Sequence, residues 1–266
     1  MNKMSRFGFI YIGVFFILIS IFSFLNIIYA YYFNLYLNAD SYIYSLIISL
    51  VLGISLFFYK KKDIKISIYE KILVVLTGYL IIPLLIAIPF FLSIYNISFL
   101  DCYFEAVSGF TSTGFSIFSN IKHIDESLIL WRSTSQWIGG IYFLFSIILL
   151  IDVFDENLKK SLTFFLSFNI TEILKQSFKI FILYSLLTIS IFLVLNLINV
   201  RIFDAFNLSM TIISSGGFLP TNNIDNIINT DIKKIVFSLT LLVSFFSLFL
   251  TYNVIFFKKK NLNFFT

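Results

Sequence analysis

The sequence predicts an all-α membrane protein with six transmembrane helices and two re-entrant segments. Its 266 residues are 59% hydrophobic and only 12% charged, a balance that soluble domains do not have. Six apolar runs are long enough to span a bilayer. Two polar, glycine-containing stretches, residues 101–116 and 204–219, lie between such runs. At membrane depth, irregular polar backbone is tolerated only where protein covers it or where it lines a water-filled path.

The first two apolar runs, residues 7–30 and 42–59, form an N-terminal hairpin that we assign to residues 1–66. The first run follows Lys3 and Arg6, but it exceeds a signal-peptide core and lacks a small-residue cleavage site, so we interpret it as a span. The remaining runs are residues 72–94, 128–151, 178–200 and 235–257. They divide into a first helix–pore–helix repeat (67–153), a cytoplasmic amphipathic linker (154–176) and a second repeat (177–266).

The two polar stretches are copies of one another. Residues 101–124 match residues 204–227 without a gap at seven of 24 positions. An internal repeat in a membrane protein commonly places the functional site where the repeats meet. The identical pairs are Asp101 and Asp204, Ser112 and Ser215, Gly114 and Gly217, Phe115 and Phe218, Asn120 and Asn223, Ile121 and Ile224, and Ile124 and Ile227.

We interpret each stretch as a short re-entrant helix, about Asp101 to Thr111 in the first repeat, followed by an extended pore segment. A cation that leaves water needs oxygen ligands, and rings of backbone carbonyls supply them. The C-terminal end of each short helix favours a cation, and glycine allows left-handed backbone angles. Asp101, Glu105 and Asp204 are expected to attract cations at the outer mouth. Asp101 and Asp204 fit equally well as N-caps of their helices.

The fourth apolar run begins with the polar signature WRSTSQWIGG, residues 131–140. Arg132 and Gln136 are four residues apart and share one helix face. Inside a bundle they need polar partners, and Glu105 or the carbonyl groups beside the pore segments are the candidates. The two tryptophans are expected near a membrane interface. The glycine pair that ends the signature lets a neighbouring backbone approach closely.

The basic residues orient the chain. With six spans, 14 of the 19 lysines and arginines lie on the side of the N-terminus, and positive charge accumulates on the cytoplasmic side. Both termini are therefore predicted in the cytoplasm, in a multi-pass protein of the cell membrane whose pore segments enter from outside. The inner set is Lys3, Arg6, Lys60, Lys61, Lys62, Lys65, Lys71, Lys159, Lys160, Lys175, Lys179, Lys258, Lys259 and Lys260.

Other classes of function find little support in the sequence. His123 is the single histidine and Cys102 the single cysteine, so we expect neither an enzyme nor a metal site other than the ion path. The net charge of +5 lies in clusters beside apolar runs, which fits lipid rather than nucleic acid. A membrane scaffold or assembly subunit that does not conduct remains the alternative to transport.

The succession FEAVSGFTSTG (104–114) and WRxxxQWIGG resembles the first repeat of the Trk/Ktr/HKT potassium transporter family. The segment MTIISSGGF (210–218) resembles the second repeat of its TrkH branch, and the leading hairpin resembles the extra helices of that branch. The resemblance implies K⁺ transport, with the ion bound by carbonyls next to each filter glycine. Glu105, Arg132 and Gln136 are the predicted supporting residues. The predicted ion-binding residues are Thr111, Ser112, Thr113, Gly114, Ser215, Gly216 and Gly217.

The family joins four repeats in one chain, whereas this sequence carries two. A second pore half is therefore expected, either another subunit or a second copy of this chain; a truncated remnant without transport is the third alternative. No G-x-G-x-x-G loop occurs, so the nucleotide-binding regulatory subunit that the resemblance implies has to be a separate cytoplasmic polypeptide. No cofactor is expected in this chain beyond the transported ion.

Overall fold

A computed structural model describes residues 6–58, 68–154 and 170–245. Within these ranges the chain is helical, with three short 3₁₀ turns and no strand, so the all-α prediction is confirmed there. The helices are α1 (Arg6–Tyr32), α2 (Ala39–Phe58), α3 (Ile68–Ser93), α4 (Phe99–Phe110), α5 (Glu126–Phe154), α6 (Ile170–Leu197), α7 (Ile202–Ile213) and α8 (Asp231–Phe245).

Four helical segments in the described residues are long and apolar enough to cross a membrane, as a membrane protein requires. They are Ile10–Tyr32, Tyr36–Phe58, Tyr69–Ser93 and Ser177–Leu197. The polar run at the start of α5 lowers the hydropathy of that helix, and the predicted span 235–257 extends beyond the described part of α8. For these two helices, membrane crossing stays a prediction.

Helices α1 and α2 form the antiparallel hairpin at the start of the chain. Gly13 near the beginning of α1 lies against the Gly53 carbonyl near the end of α2. Farther along α1, the Ser23 hydroxyl donates to Ser45 Oγ at 3.1 Å. Small side chains allow the two backbones this close contact, as in other membrane helix pairs.

Helix α5 is the centre of the bundle and packs against α1, α3, α4, α6 and α7. Trp131 is 1% exposed and Trp137 is 4% exposed. Their indole N–H groups donate to the Ile86 carbonyl and to Thr188 Oγ1, each at 2.9 Å. Both rings are therefore anchored inside the protein, and their position near a membrane interface stays a prediction. A helix surrounded by protein also has no lipid-facing side that excludes polar residues.

Part of the predicted organisation falls outside the described residues. The linker 154–176 does so for the most part, and its last residues, from Ile170 onward, belong to α6. The basic clusters 60–62 and 258–260 also lie outside the described ranges. The predicted orientation of the termini therefore stays a prediction.

The sequence repeat is also a backbone repeat. Helices α4 and α7 are each 12 residues long, and the offset of 103 residues that aligns the sequences superimposes their ends. A left-handed asparagine precedes each helix, Asn96 with φ 59° and Asn199 with φ 57°. A 3₁₀ turn follows each pore segment in the same register, Ile121–His123 and Ile224–Asn226.

Candidate functional site

Each short helix starts before the predicted aspartate. Ser98 is the N-cap of α4, and its hydroxyl accepts from the Asp101 backbone N–H at 3.1 Å. The Asp101 carboxylate in turn accepts from the Ser98 hydroxyl at 2.7 Å. Arg201 occupies the N-cap position of α7. The two aspartates are thus third in their helices rather than N-caps, where they still favour the positive helix end.

The expected acidic mouth is smaller than predicted, because two of its three carboxylates are buried. Asp101 is exposed. Asp204 is 8% exposed and pairs with Arg201 at 3.1 Å. Glu105 is 0% exposed and pairs with Arg132 at 2.8 Å. Glu105 therefore acts inside the protein as a partner of Arg132, as the sequence also suggested, and not as a surface charge.

Both short helices end in a left-handed serine. Ser112 has φ 57° and Ser215 has φ 54°. Their N–H groups donate to the carbonyls of Gly109 and Ile212, each at 2.9 Å. This turns the chain out of the helix and into the extended segment that follows.

Only one of the two filter glycines adopts a positive φ, the conformation that favours glycine. Gly114 has φ 77°, but Gly217 does not have a positive φ. The left-handed positions at the helix ends are held by serine, at a cost of about 1–2 kcal/mol each relative to glycine. Strain of this kind persists only where surrounding contacts fix the backbone.

The two extended segments meet at their glycines. A Cβ atom built on Gly114 would lie 2.5 Å from Gly217 Cα, and one built on Gly217 would lie 3.1 Å from Gly114 Cα. Side chains at either position would force the segments apart. The glycines are therefore required by close approach of two backbones, one from each repeat.

The carbonyl groups around this contact are not used inside the protein. Among the described residues, no hydrogen bond ends on a carbonyl oxygen of residues 111–114 or 215–217. The carbonyls one turn earlier, those of Ser108 and Thr211, accept from the Thr113 and Gly216 N–H groups at 3.0 Å and 2.8 Å. Each segment is thus fixed through its N–H groups, which leaves oxygen ligands available.

A buried ion pair supports the first segment. The Glu105 carboxylate accepts from Arg132 Nε at 2.8 Å, from the Ser116 hydroxyl at 3.1 Å and from the Ile117 backbone N–H at 3.0 Å. Arg132 also donates to Ser116 Oγ at 3.0 Å. Glu105 and Arg132 therefore connect α4, α5 and the residues that follow Gly114.

Arg132 also reaches the second repeat. Its Nη1 donates to the Leu219 carbonyl at 3.3 Å, and its guanidinium carbon lies 4.2 Å from the centroid of the Phe218 ring. Phe218 directly follows the filter glycine Gly217. One side chain of α5 thus contacts both pore segments just after their filter glycines. The sequence offered Glu105 or a carbonyl beside the segments as its partner, and the structure gives it both.

Gln136 supports the second segment from the next turn of α5. With its amide oriented to satisfy its neighbours, the oxygen accepts from the N–H groups of Gly217 at 3.0 Å and Phe218 at 3.1 Å. The amide nitrogen donates to Thr211 Oγ1 at 3.0 Å. A Cβ on Gly216 would collide with this amide. Gln136 is 0% exposed, so all of these bonds form away from water.

Gly139 and Gly140 of α5 pack against the C-terminal ends of both short helices. A Cβ on Gly139 would overlap the Phe110 carbonyl, the last of α4. A Cβ on Gly140 would overlap the Tyr184 hydroxyl and lie 3.0 Å from Ser214 Cβ, at the end of α7. The predicted close packing at this pair is confirmed.

The sequence did not predict a further link between the repeats. In this link the Asn222 side chain accepts from the Ile121 N–H at 2.7 Å and donates to the Asn120 side chain at 2.8 Å.

Comparison with solved structures bears on this architecture. The chain is similar to the crystal structure of the potassium transporter TrkH from Vibrio parahaemolyticus, with a TM-score of 0.73 and 20% identity over 90% of this chain and 49% of that chain. At this identity the likeness shows the fold alone.

Sequence relatives carry the comparison further. The chain is 29% identical over 204 residues to an uncharacterized cation transporter of Methanocaldococcus jannaschii, covering 71% of this chain and 41% of the relative. It is 25% identical over 203 residues to the Trk system potassium uptake protein TrkG of Escherichia coli strain K12, covering 74% and 42%. A shorter match of 68 residues, 34% identical, joins it to TrkI of Halomonas elongata over 26% and 13%. These relatives support a Trk/TrkH-like family for the chain.

No family model matches the chain. It spans less than half the length of the first two relatives, 41% and 42%. The two repeats described above are thus compared with a part of each longer protein.

Proposed function

We propose that this chain is a pore-forming half of a Trk-type system that moves K⁺ across the plasma membrane. One observation carries the proposal: two equivalent extended segments meet at Gly114 and Gly217, and no hydrogen bond among the described residues ends on their carbonyl oxygens. A dehydrated cation needs such oxygens in place of its water shell. The names of the relatives, a cation transporter and two potassium uptake proteins, support the same class of cargo.

In the proposed mechanism, the carbonyls of Thr111, Ser112, Thr113 and Gly114 bind the ion together with those of Ser215, Gly216 and Gly217. Helices α4 and α7 direct their C-terminal, partly negative ends toward this region, which favours a cation over an anion. Glycine at both filter positions and the resemblance to the family support K⁺ as the preferred ion.

The supporting residues keep the segments in place during ion passage. Glu105 and Arg132 fix the first segment, and Gln136 fixes the second through the Gly217 and Phe218 N–H groups. Binding N–H groups on one side of an extended segment leaves its carbonyls to the ion. Because these bonds are buried, they are stronger than the same bonds in water.

The remaining features of the proposal follow from the repeat number and from charge. We expect six spans, re-entrant pore segments that enter from outside, and both termini in the cytoplasm, on the distribution of basic residues. We expect a second pore half and a separate cytoplasmic nucleotide-binding regulatory subunit, on the family resemblance.

A chimera with TrkG tests the proposal. This chain would replace the matched part of E. coli TrkG, and the chimera would be expressed in cells that lack their own K⁺ uptake systems. We expect growth at low K⁺ that is abolished by Gly114→Arg and by Gly217→Arg. The control Ser119→Arg, at an exposed position of the following loop, should retain growth.

Two outcomes would contradict the proposal. One is a chimera that is present in the membrane but does not support growth. The other is growth that persists with arginine at either filter glycine. The second outcome would mean that ions do not pass between these segments.

A further inference from the structure

The two pore segments differ in the protein that covers them. Phe218 is 1% exposed beneath Arg132, whereas Phe115, at the same position of the first repeat, is 71% exposed. The cover on Phe218 comes from α5, the helix that follows the first pore segment. The first segment thus exposes the face that a helix like α5 covers on the second. We call this face, formed by Gly114 and Phe115, the uncovered filter face.

Backbone hydrogen bonds show the same asymmetry. The N–H groups of Gly217 and Phe218 donate to the Gln136 amide oxygen. Among the described residues, the N–H groups of Gly114 and Phe115 have no acceptor. Backbone N–H groups at membrane depth require an acceptor. The uncovered filter face therefore calls for both an acceptor and a cover for an aromatic ring.

We infer that the uncovered filter face binds a membrane helix that is neither one of those described above nor one from a second copy of this chain. That helix presents an arginine and, four residues later, a carboxamide side chain. This inference rests on the proposed function, since it names the chemistry of the second pore half. The guanidinium stacks on the Phe115 ring, and the amide oxygen accepts from the N–H groups of Gly114 and Phe115. The model for this contact is the interface of α5 with the second segment, formed by Arg132 and Gln136.

A second copy of this chain does not offer that chemistry. Arg132 and Gln136 are 1% and 0% exposed, so α5 of another copy is already committed within its own bundle. The helix in the equivalent position is α8, where the offset of 103 residues puts Ile235 and Leu239 in place of Arg132 and Gln136. Both side chains are exposed, 62% and 56%, but neither carries a charge or accepts a hydrogen bond.

The test gives α8 the missing chemistry. The full-length variant Ile235→Arg/Leu239→Gln is purified in detergent beside the unaltered chain, and the dimer fraction is measured by native mass spectrometry. Each preparation is repeated with Phe115→Ala, and only the dimer lost with that substitution is counted. We expect almost none for the unaltered chain and a rise of about tenfold or more for the variant, as one or two added hydrogen bonds would give.

The matched control places the same two side chains elsewhere. Ile189 and Leu193 of α6 are also four residues apart and are 53% and 52% exposed. The variant Ile189→Arg/Leu193→Gln should therefore show no Phe115-dependent dimer. This control separates recognition of the uncovered filter face from general association of helices that carry polar groups.

Either of two results overturns the inference. A Phe115-dependent dimer of the unaltered chain would mean that a second copy occupies the face. No gain for the α8 variant would mean that arginine and amide are not what the face recognises. Neither readout requires ion conduction, so failure here is distinct from failure of the TrkG chimera to transport K⁺.

Discussion

Replacing Glu105 with glutamine should destabilise the protein more than any exposed charge change. Glu105 and Arg132 are 0% and 1% exposed. Glutamine has nearly the same shape, but it has one acceptor oxygen, whereas the Ser116 hydroxyl and the Ile117 N–H donate to different carboxylate oxygens of Glu105. The substitution therefore removes the negative charge and leaves the Arg132 guanidinium buried without a carboxylate.

The magnitude follows from the burial of the pair. Removing one partner of a buried ion pair costs about 3–5 kcal/mol. Because glutamine keeps the shape of the side chain and one acceptor oxygen, we expect the lower end, about 3 kcal/mol. For a chain of this size, 1 kcal/mol shifts the midpoint of thermal unfolding by about 2–4 °C. The midpoint should therefore fall by about 6–12 °C.

The assay is thermal unfolding of the purified chain in one detergent, followed by the fraction that remains soluble and monodisperse. The control is Glu126→Gln, which breaks an ion pair with Arg201 whose side chains are 41% and 59% exposed. Exposed pairs contribute about 0–1 kcal/mol, so the control should shift the midpoint by about 4 °C at most. Equal shifts for the two variants would refute the role assigned to the buried pair.

Three further substitutions probe the packing around the filter. Gly139→Ala should cost about 1–3 kcal/mol, because its Cβ would overlap the Phe110 carbonyl. The comparison is Gly13→Ala, which should cost less because the nearest atoms to its Cβ would be 3.2 Å away. Thermal unfolding in detergent measures both variants, and equal midpoints would contradict the assigned contact. Ser112→Gly should raise stability by about 1 kcal/mol, since glycine adopts φ 57° without strain; a lower unfolding midpoint would show that the serine side chain is needed. Gln136→Leu should reduce K⁺ uptake by the TrkG chimera about tenfold or more, because it removes a buried hydrogen-bond acceptor. Unchanged uptake would argue against the hydrogen bond from the Gly217 N–H to Gln136 as a support of the segment.

Much of the architecture was predictable because a bilayer restricts the choices. Long apolar runs predict spanning helices, and a polar stretch between them has to be covered by protein or water. The gapless repeat predicted that residues 101–124 and 204–227 share one backbone, and α4 and α7 do share it. The pairing of Arg132 with Glu105 was predictable for the same reason, since two buried opposite charges in one bundle require partners.

Other features could not be predicted from the amino-acid sequence. Ser98 and Arg201 begin the short helices in place of the aspartates, because capping depends on where the preceding turn at Asn96 or Asn199 ends. The burial of the α5 tryptophans was not predictable, since nothing in the run 131–140 shows that five helices pack against this helix. The left-handed serines at 112 and 215 carry no local signal either, because serine seldom adopts that conformation without tertiary support.

The sequence by itself determined that this is an all-helical membrane protein with two copies of one filter-like segment, since hydropathy and repeat register are properties of the chain. Only the tertiary structure decided what those segments contact. In the structure Gly114 lies against Gly217, and Phe115 is exposed. Arg132 forms hydrogen bonds with both repeats, and Gln136 forms them with the second. The physical reason is that α5 packs against both repeats, and a helix can satisfy on each of its faces only the groups that packing brings there.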